Sequence, residues 1–177
     1  MRGRRWLVAA ALTGTLLALP IAAVAAPGVS TRHATATLRD AAGDVVGFAA
    51  FSEMGSHGVQ VVVVARGLTP GLHGLHVHAL GSCTAPTFAS AGGHFNPLGT
   101  THGSHAGDLP DLHVNQAGIG TMVGAITAFT LLPGPLSLFD GDGSALVVHA
   151  SPDDHVTDPS GNSGARIGCG VITPLGG

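Results

Sequence analysis

The sequence is a succession of short apolar runs separated by glycine, proline and polar residues, and this punctuation restricts the chain to short extended elements. Runs of this kind, bounded by turn residues, are typical of β-strands, and no stretch of the chain outside its N-terminal segment shows a convincing amphipathic helical period. About eight of them occur, at residues 30–38, 44–51, 59–68, 71–80, 111–116, 120–132, 144–150 and 165–173. The sequence therefore predicts an all-β fold, an eight-stranded antiparallel Greek-key sandwich or barrel.

Composition supports the same fold class. The chain of 177 residues has 28 Gly but only six Phe, one Trp and no Tyr, which favours a loop-rich β protein with a core of Val, Ile and Leu. Disorder is excluded because 45% of the residues are hydrophobic and only 10% are charged. The length suits one domain, and no internal repeat or second domain is visible.

The N-terminal segment predicts export. Residues 1–25 combine three arginines with an apolar run that contains Pro20 and ends in Ala23-x-Ala25, which fits a signal peptide cleaved after Ala25. An uncleaved membrane anchor is the alternative, since the run is just long enough to span a bilayer. Cleavage leaves residues 26–177 as one periplasmic or extracellular domain without a transmembrane segment. Its four arginines and ten acidic residues give a net charge of 4 − 10 = −6, so no basic surface remains for nucleic acid.

Cys83 and Cys169 are the two cysteines of the chain, and export places them in an oxidising compartment. A disulfide between them is therefore expected, with two buried free thiols as the alternative. Two segments, residues 80–111 and 150–165, are too rich in Gly, Ser, Pro and polar residues to be strands. Loops of this length in a compact domain are commonly functional.

Histidines cluster in and around these loops. On a strand, His76 and His78 share one face while His73 points to the other, although such a pair can arise by chance in a chain with 11 histidines. With His149, which lies at the end of a predicted strand, the pair offers a nitrogen-rich site of the kind that suits Cu(II). A hydrogen-bonded histidine at a strand end is the alternative for His149.

The first long loop carries a second donor set. Three imidazoles and one carboxylate are suited to a four-coordinate zinc ion, and polar decoration of a loop is the alternative. The loop residues concerned are His94, His102, His105 and Asp108.

Five motifs follow one another along the chain: "GLHGLHVH", "GGHFNP", "HAGDLP", "LVVHA" followed by a pair of aspartates, and "GNSGARIGCGVI". In this order they resemble the signatures of the copper/zinc superoxide dismutase family, in particular its exported bacterial branch. The resemblance extends from about residue 30 to the C-terminus and implies the Greek-key fold with two functional loops.

The resemblance also implies roles for individual residues. Arg166 resembles the arginine that attracts the anionic substrate, Asp153 the carboxylate that links a copper ligand to a zinc ligand, and Cys83 and Cys169 the intrachain disulfide. His73 resembles a structural histidine. One copper and one zinc ion per chain are implied, with His94 as the bridging ligand; copper would be held by His76, His78, His94 and His149, and zinc by His94, His102, His105 and Asp108.

The implied activity is the conversion of superoxide to dioxygen and hydrogen peroxide by cycling of copper between Cu(II) and Cu(I). In the mechanism that the resemblance implies, His94 releases Cu(I), takes up a proton and passes it to the departing peroxide. Arginine at the mouth of a narrow channel would concentrate the anion. The catalytic residues would then be His94 and Arg166.

Three features depart from the family pattern. Only Gly103 and Ser104 separate His102 from His105, where the family commonly has a longer insert, so zinc geometry and affinity are the least secure expectation. The chain has no lysine to steer the anion. The second loop also carries three aspartates, which would slow capture of the substrate.

Two other functions remain open. A non-catalytic relative would bind copper and zinc for storage or delivery, although the chain lacks the Cys-x-Cys segment that copper-delivery relatives often add. A purely structural sandwich domain would leave the clustered ligands unexplained. The resemblance allows a homodimer, and no segment identifies the pairing surface.

Overall fold

The computed structural model describes residues 32–176 as an all-β antiparallel fold. The predicted signal peptide, residues 1–25, lies outside the described residues. Within residues 32–176 no helix combines the length and apolarity needed to cross a membrane. The strands are β1 His33–Arg39, β2 Val45–Glu53, β3 Val59–Arg66, β4 Gly71–His73, β5 Leu75–His78, β6 Leu112–Val114, β7 Ile119–Ile126, β8 Ala145–His149, β9 Arg166–Val171 and β10 Thr173–Pro174.

The alternation of buried and exposed residues along β2 and β3 explains how the sheet makes a core. Side chains on successive residues of a strand point to opposite faces, and in β3 Val59, Val61 and Val63 are fully buried while the residues between them face outward. The inward residues of β1 to β3 join those of β5 to β8 in one hydrophobic cluster. Small and branched apolar side chains therefore fill the interior, as the composition predicts.

A single glycine lets the sheet curl toward closure. The strand order is β4-β6-β7-β3-β2-β1-β9-β8-β5, with β10 beside β1. β4 and β5 are separated in sequence by Gly74 alone, yet they occupy opposite ends of this order, because β4 pairs with β6 and β5 pairs with β8. The chain changes partners at Gly74 and brings the two ends of the sheet together in a nearly closed antiparallel barrel.

The predicted fold class is confirmed, and the number of strands differs for local reasons. The predicted strand 71–80 is divided at Gly74, and the predicted strand 165–173 is divided at Ile172, whose N–H donates to the carbonyl of Ser144. The predicted strand 120–132 extends too far, since β7 ends at Ile126. Beyond it the buried carboxylate of Glu53 accepts hydrogen bonds from the Thr130 hydroxyl and the Leu131 N–H, which holds these residues in an irregular turn.

The two long connections lie where the sequence predicts them. Residues 79–111 form the first loop, between β5 and β6, and residues 150–165 form the second loop, between β8 and β9. The predicted disulfide between Cys83 and Cys169 is present and ties the first loop to β9. The disulfide therefore fixes the first loop to the strand that follows the second loop.

Replacing Gly74 by Ala should destabilise the barrel at the point where the strand changes partners. A Cβ at this position would lie 2.7 Å from Cβ of Ser163 and 3.3 Å from the His76 ring. Overpacking of a filled interior costs about 1–3 kcal/mol, so the urea midpoint should fall accordingly. Gly141→Ala is the matched control, because its Cβ would meet nothing within 4 Å; equal midpoints for the two variants would contradict this account.

Candidate metal centre

Three neighbouring strands bring most of the predicted copper-site residues to one place. β5 pairs with β8, and β8 pairs with β9 so that His149 lies opposite Arg166. The N–H of His149 donates to the carbonyl of Gly74, at the start of β5. In β5 Leu75 and Val77 belong to the hydrophobic cluster, while His76 and His78 alternate with them and turn toward the other histidines.

The first loop returns along β5 and adds the remaining donors. His94 bridges to His78 and Asp108 bridges to His76 in short antiparallel contacts, and between them the N–H of Phe95 donates to the carbonyl of Val77. A loop with no strand of its own is thus aligned on a strand. This alignment explains how residues 16 or more positions away from β5 reach its histidines.

The histidines and one aspartate form two groups that share a ring. In each group the donor atoms lie within 4.8 Å of one another. His94 belongs to both groups: its Nδ1 lies 2.8 Å from Oδ1 of Asp108, and its Nε2 has no hydrogen-bond partner in the part of the chain that the structure describes. The first group comprises His76, His78, His94 and His149, and the second comprises His94, His102, His105 and Asp108.

Each ring in the first group other than His94 is held by its outer nitrogen. His76 donates from Nε2 to Asp153, His78 from Nδ1 to the carbonyl of Gly92, and His149 from Nδ1 to the carbonyl of Gly164, at 2.8, 3.0 and 3.2 Å. A neutral imidazole that donates from one nitrogen offers a lone pair at the other. The inner nitrogens are therefore acceptors directed at one another.

These inner nitrogens fit a bound cation. Nδ1 of His76 and Nε2 of His94 are buried without a partner, and Nε2 of His78 faces Nε2 of His149 at 3.4 Å. Two facing lone pairs repel, and buried polar atoms without partners are rare in folded proteins unless an ion or water satisfies them. Four nitrogen donors suit Cu(II), so the first group fits copper.

The second group offers both nitrogen and oxygen donors. Asp108 is fixed by the backbone N–H groups of Gly103 and His105, which donate to Oδ2 at 2.8 and 3.1 Å. Its Oδ1 faces the Nδ1 atoms of His94 and His105, and Nδ1 of His102 is buried without a partner. Three nitrogens and one carboxylate oxygen are a common tetrahedral zinc set.

Asp153 connects the two groups through their outer nitrogens. Its Oδ2 accepts from Nε2 of His76 and its Oδ1 from Nε2 of His102, both at 2.8 Å. Burial raises the pKa of this carboxyl, but the hydrogen bonds from His76, His155 and His102 outweigh burial and lower it. Contacts of this kind fix which nitrogen faces a metal.

Arg166 lies in the cleft that opens onto the first group. The cleft has a volume of about 440 Å³, and its walls include His78, His94, His149 and Arg166. Two guanidinium nitrogens donate to the carbonyls of Phe88 and Gly92, at 2.7 and 2.6 Å, so the side chain is fixed. Gly92 thus holds both Arg166 and His78 through one carbonyl oxygen.

The remaining predicted residues lie apart from the two groups. His73 is buried and is held by the carbonyls of His149 and Thr69, as a structural histidine would be. Asp154 is exposed, and it organises the second loop by accepting bonds from Val156, Thr157 and Asn162. Exposed histidines away from the groups are His33, His57 and His113.

Sequence reasoning did not identify the backbone carbonyls that orient the rings. The carbonyls of Gly92 and Gly164 hold His78 and His149, yet a carbonyl leaves no signature in the sequence. The ring of His155 is half exposed. Its Nδ1 nevertheless lies 3.3 Å from Oδ2 of Asp153. The glycines beside the ligands indicate turns, but they do not predict which side chain donates a hydrogen bond to their carbonyls.

Burial keeps His76, His78 and His149 neutral. It lowers the pKa of His76 to about 3, of His78 to about 2 and of His149 to about 4, and neighbouring histidines or Arg166 add to the effect. For Asp108, burial raises the carboxyl pKa, but the hydrogen bond from His94 and the charges of His105 and His102 reverse the shift and leave it well below its usual value. Neutral imidazoles and an ionised carboxylate are the forms that bind metals.

The metal-free protein should lose stability as the pH falls from about 6.5 toward 4. The pKa values of His76, His78 and His149 are lower in the folded chain than the 6.5 of an unfolded histidine. The unfolded state therefore binds more protons in this window, and the free energy of unfolding decreases as the pH falls. Each histidine should contribute up to about 2 kcal/mol between pH 6.5 and 5.

Urea unfolding of the metal-free chain at about pH 7.5 and about pH 5 measures this difference. His149→Gln should reduce the pH dependence, whereas His113→Gln, at an exposed position, should leave it unchanged. A free energy of unfolding that is the same at both pH values would contradict the account.

Comparison with known proteins identifies the family. The family model for copper/zinc superoxide dismutase matches residues 45–172. Superoxide dismutase (Cu-Zn) 2 of Aquifex aeolicus is 44% identical over 148 residues, which cover 78% of this chain and 85% of that protein. The superoxide dismutase-like protein YojM of Bacillus subtilis is 42% identical over 138 residues, with coverage of 73% and 70%.

Solved structures show the same relationship. A crystal structure of a superoxide dismutase-like protein from Bacillus subtilis superposes with a TM-score of 0.74 at 41% identity, covering 77% of this chain and 95% of that one. The family match spans both loops and every residue of the two donor groups. The chain belongs to the copper/zinc superoxide dismutase family.

Proposed function

We propose that this chain is an exported superoxide dismutase that binds one copper and one zinc ion and converts superoxide to dioxygen and hydrogen peroxide. The observation that carries the proposal is the position of His94, whose two ring nitrogens face different donor groups. A histidine shared between two sites has little value for storage of a single metal. It couples the two sites through one ring.

The chemistry of the donor groups supports an assignment of the metals. Copper would be held by His76, His78, His94 and His149, and zinc by His94, His102, His105 and Asp108. Bound copper supplies the one-electron oxidation and reduction by which two superoxide ions and two protons become one dioxygen and one hydrogen peroxide. The rings of His76, His78 and His149, which burial keeps neutral, would surround this copper.

Arg166 binds and orients the anion. Its guanidinium is permanently charged in proteins, and the carbonyls of Phe88 and Gly92 use only part of its donor capacity. The remaining N–H groups are available to a small anion in the cleft shared with His78 and His94. Because a fixed cation in a narrow cleft concentrates field lines, capture should weaken as salt rises.

His94 would carry a proton for the product on Nε2, the nitrogen that would bind copper when it is unprotonated. His94 lines the cleft, its buried Nε2 has no hydrogen-bond partner among residues 32–176, and its Nδ1 lies 2.8 Å from Asp108. A proton on Nε2 is therefore close to any anion that Arg166 retains. General acid catalysis requires such proximity within hydrogen-bond reach.

A non-catalytic metal-binding role is the second candidate, because one of the similar proteins, YojM, is named superoxide dismutase-like. The two candidates differ in a single experiment. Chain produced in metal-replete medium should contain one copper and one zinc ion and remove superoxide. Bound metal without removal of superoxide would favour storage or delivery.

His94→Ala should abolish the superoxide activity because it removes a nitrogen from both donor groups. Arg166→Ala should retain copper but lower kcat/KM about tenfold or more and weaken its dependence on ionic strength, since steering raises association rates by at least that factor. Stopped-flow decay of superoxide and metal analysis measure both effects.

Arg66→Ala is the control for the loss of one positive charge, because Arg66 is exposed at the end of β3. Activity and salt dependence of this variant should match those of the unmodified chain. If Arg166→Ala behaves like Arg66→Ala, the substrate-binding role of Arg166 is wrong.

Export is the remaining part of the proposal, together with the homodimer that the resemblance allows. In a bacterial host the mature protein should begin at Ala26, as mass spectrometry of the intact chain would show. A chain that still begins at Met1 and is found in the membrane fraction would support the uncleaved anchor instead.

Sedimentation of the mature chain should give the mass of two copies, and the mass of one copy would exclude the homodimer.

A further inference from the structure

The shortened segment between two zinc-site histidines is held in place by the second loop. Only Gly103 and Ser104 separate His102 from His105, so this part of the first loop has little chain of its own with which to fix His102. We propose that Asp158, in the second loop, is a positioning residue that fixes the backbone of His102 and so replaces the missing length. The inference rests on the zinc site of the proposed function.

Asp158 contacts the backbone of His102. The N–H of His102 donates to Oδ1 of Asp158, with nitrogen and oxygen 2.6 Å apart. Asp153 holds the ring of the same residue at Nε2, at 2.8 Å. His102 is therefore held by the second loop at two points, and Nδ1 is the ring nitrogen left to face the zinc group. Two fixed points define the direction of a side chain, whereas one leaves it free to rotate.

The two loops also touch at Gly103. This residue has φ +81°, a left-handed conformation that glycine adopts without strain, and its N–H donates to Asp108. A Cβ at this position would overlap the carbonyl oxygen of His155. The second loop thus lies directly against the turn between the histidines, and the close approach requires a glycine.

The second loop is itself shaped for this contact. His155 has φ +56°, which is uncommon for a residue other than glycine, and its N–H donates to Oδ1 of Asp153 at 2.7 Å. This bond stabilises the conformation that directs the His155 carbonyl toward Gly103. The same short segment therefore carries the bridge from Asp153 and the contact from Asp158.

Asp158 does not hold its own loop together. Its side chain makes one hydrogen bond within residues 32–176, and the partner is His102 in the other loop. Asp154 differs, because its carboxylate accepts four bonds, all from residues of the second loop. A residue with a purely local role would resemble Asp154, so the contact of Asp158 serves the first loop.

Zinc retention by the full chain tests the proposal. Asp158→Ala removes the acceptor and should speed zinc release to a chromophoric chelator about tenfold or more, since loss of an outer contact commonly costs 10–100-fold in metal affinity. Cobalt(II) bound in place of zinc should show an altered visible absorption spectrum. Asp158→Asn keeps an acceptor oxygen and should stay within about threefold of the unmodified chain. Asp44→Ala, at an exposed turn, controls for lost charge.

The outcomes separate this inference from the zinc assignment. If the unmodified chain binds neither zinc nor cobalt(II), the zinc site itself is wrong and the inference falls with it. If it binds both and Asp158→Ala matches Asp44→Ala in zinc release and cobalt spectrum, only the positioning role is wrong. If Asp158→Asn releases zinc as fast as Asp158→Ala does, the hydrogen-bonding role of Asp158 is also wrong.

Gly103→Ala tests the packing of the two loops at a neighbouring contact without altering Asp158, and it remains informative if Asp158→Ala fails to fold. Its Cβ would displace the second loop from the turn, so zinc release should again be faster. Combined with Asp158→Ala, its effect should be smaller than the product of the two single effects, because both changes separate the same two loops. Unchanged zinc release in Gly103→Ala would contradict the proposal.

Discussion

A buried imidazole offers a lone pair in a fixed direction when its other ring nitrogen is held by a hydrogen bond. The candidate metal centre of this protein depends on such hydrogen bonds. Asp153 holds His76 and His102 at once, while two backbone carbonyls hold His78 and His149. Burial then keeps His76, His78 and His149 neutral by lowering their pKa values. Orientation and neutrality together prepare the nitrogens for metal before any metal binds.

The closure of the barrel brings together the residues that make these hydrogen bonds. Because the chain changes partners at Gly74, β5 lies beside β8, and β8 lies beside β9. The ligand strand, His149 and Arg166 are therefore neighbours in the sheet although 90 positions of sequence separate His76 from Arg166. The disulfide fixes the first loop to β9, and Arg166 donates hydrogen bonds to the Phe88 and Gly92 carbonyls of that loop. The anion site and the donor groups thus share one framework.

Much of this organisation is visible in the sequence, and the limits have physical causes. Alternating apolar residues predict the strands, and the loop boundaries follow from Gly, Pro and Ser. The resemblance predicts the residues that the structure gathers into two groups. The break at Gly74 was not predicted, because a glycine inside an apolar run does not say which strand pairs on either side. The hydrogen bond from His78 to the Gly92 carbonyl and the one from the His102 N–H to Asp158 join residues far apart in the sequence. Because each involves a backbone group, no residue type predicts it.

The central claim is that one ring, His94, lies between two different cations. Diffraction data collected on crystals of the metal-loaded protein at the copper and zinc absorption edges test it most directly. The account predicts two distinct anomalous peaks, copper beside Nε2 of His94 and zinc beside Nδ1. A single peak, the same element at both positions, or a His94 ring that contacts one ion alone would contradict it.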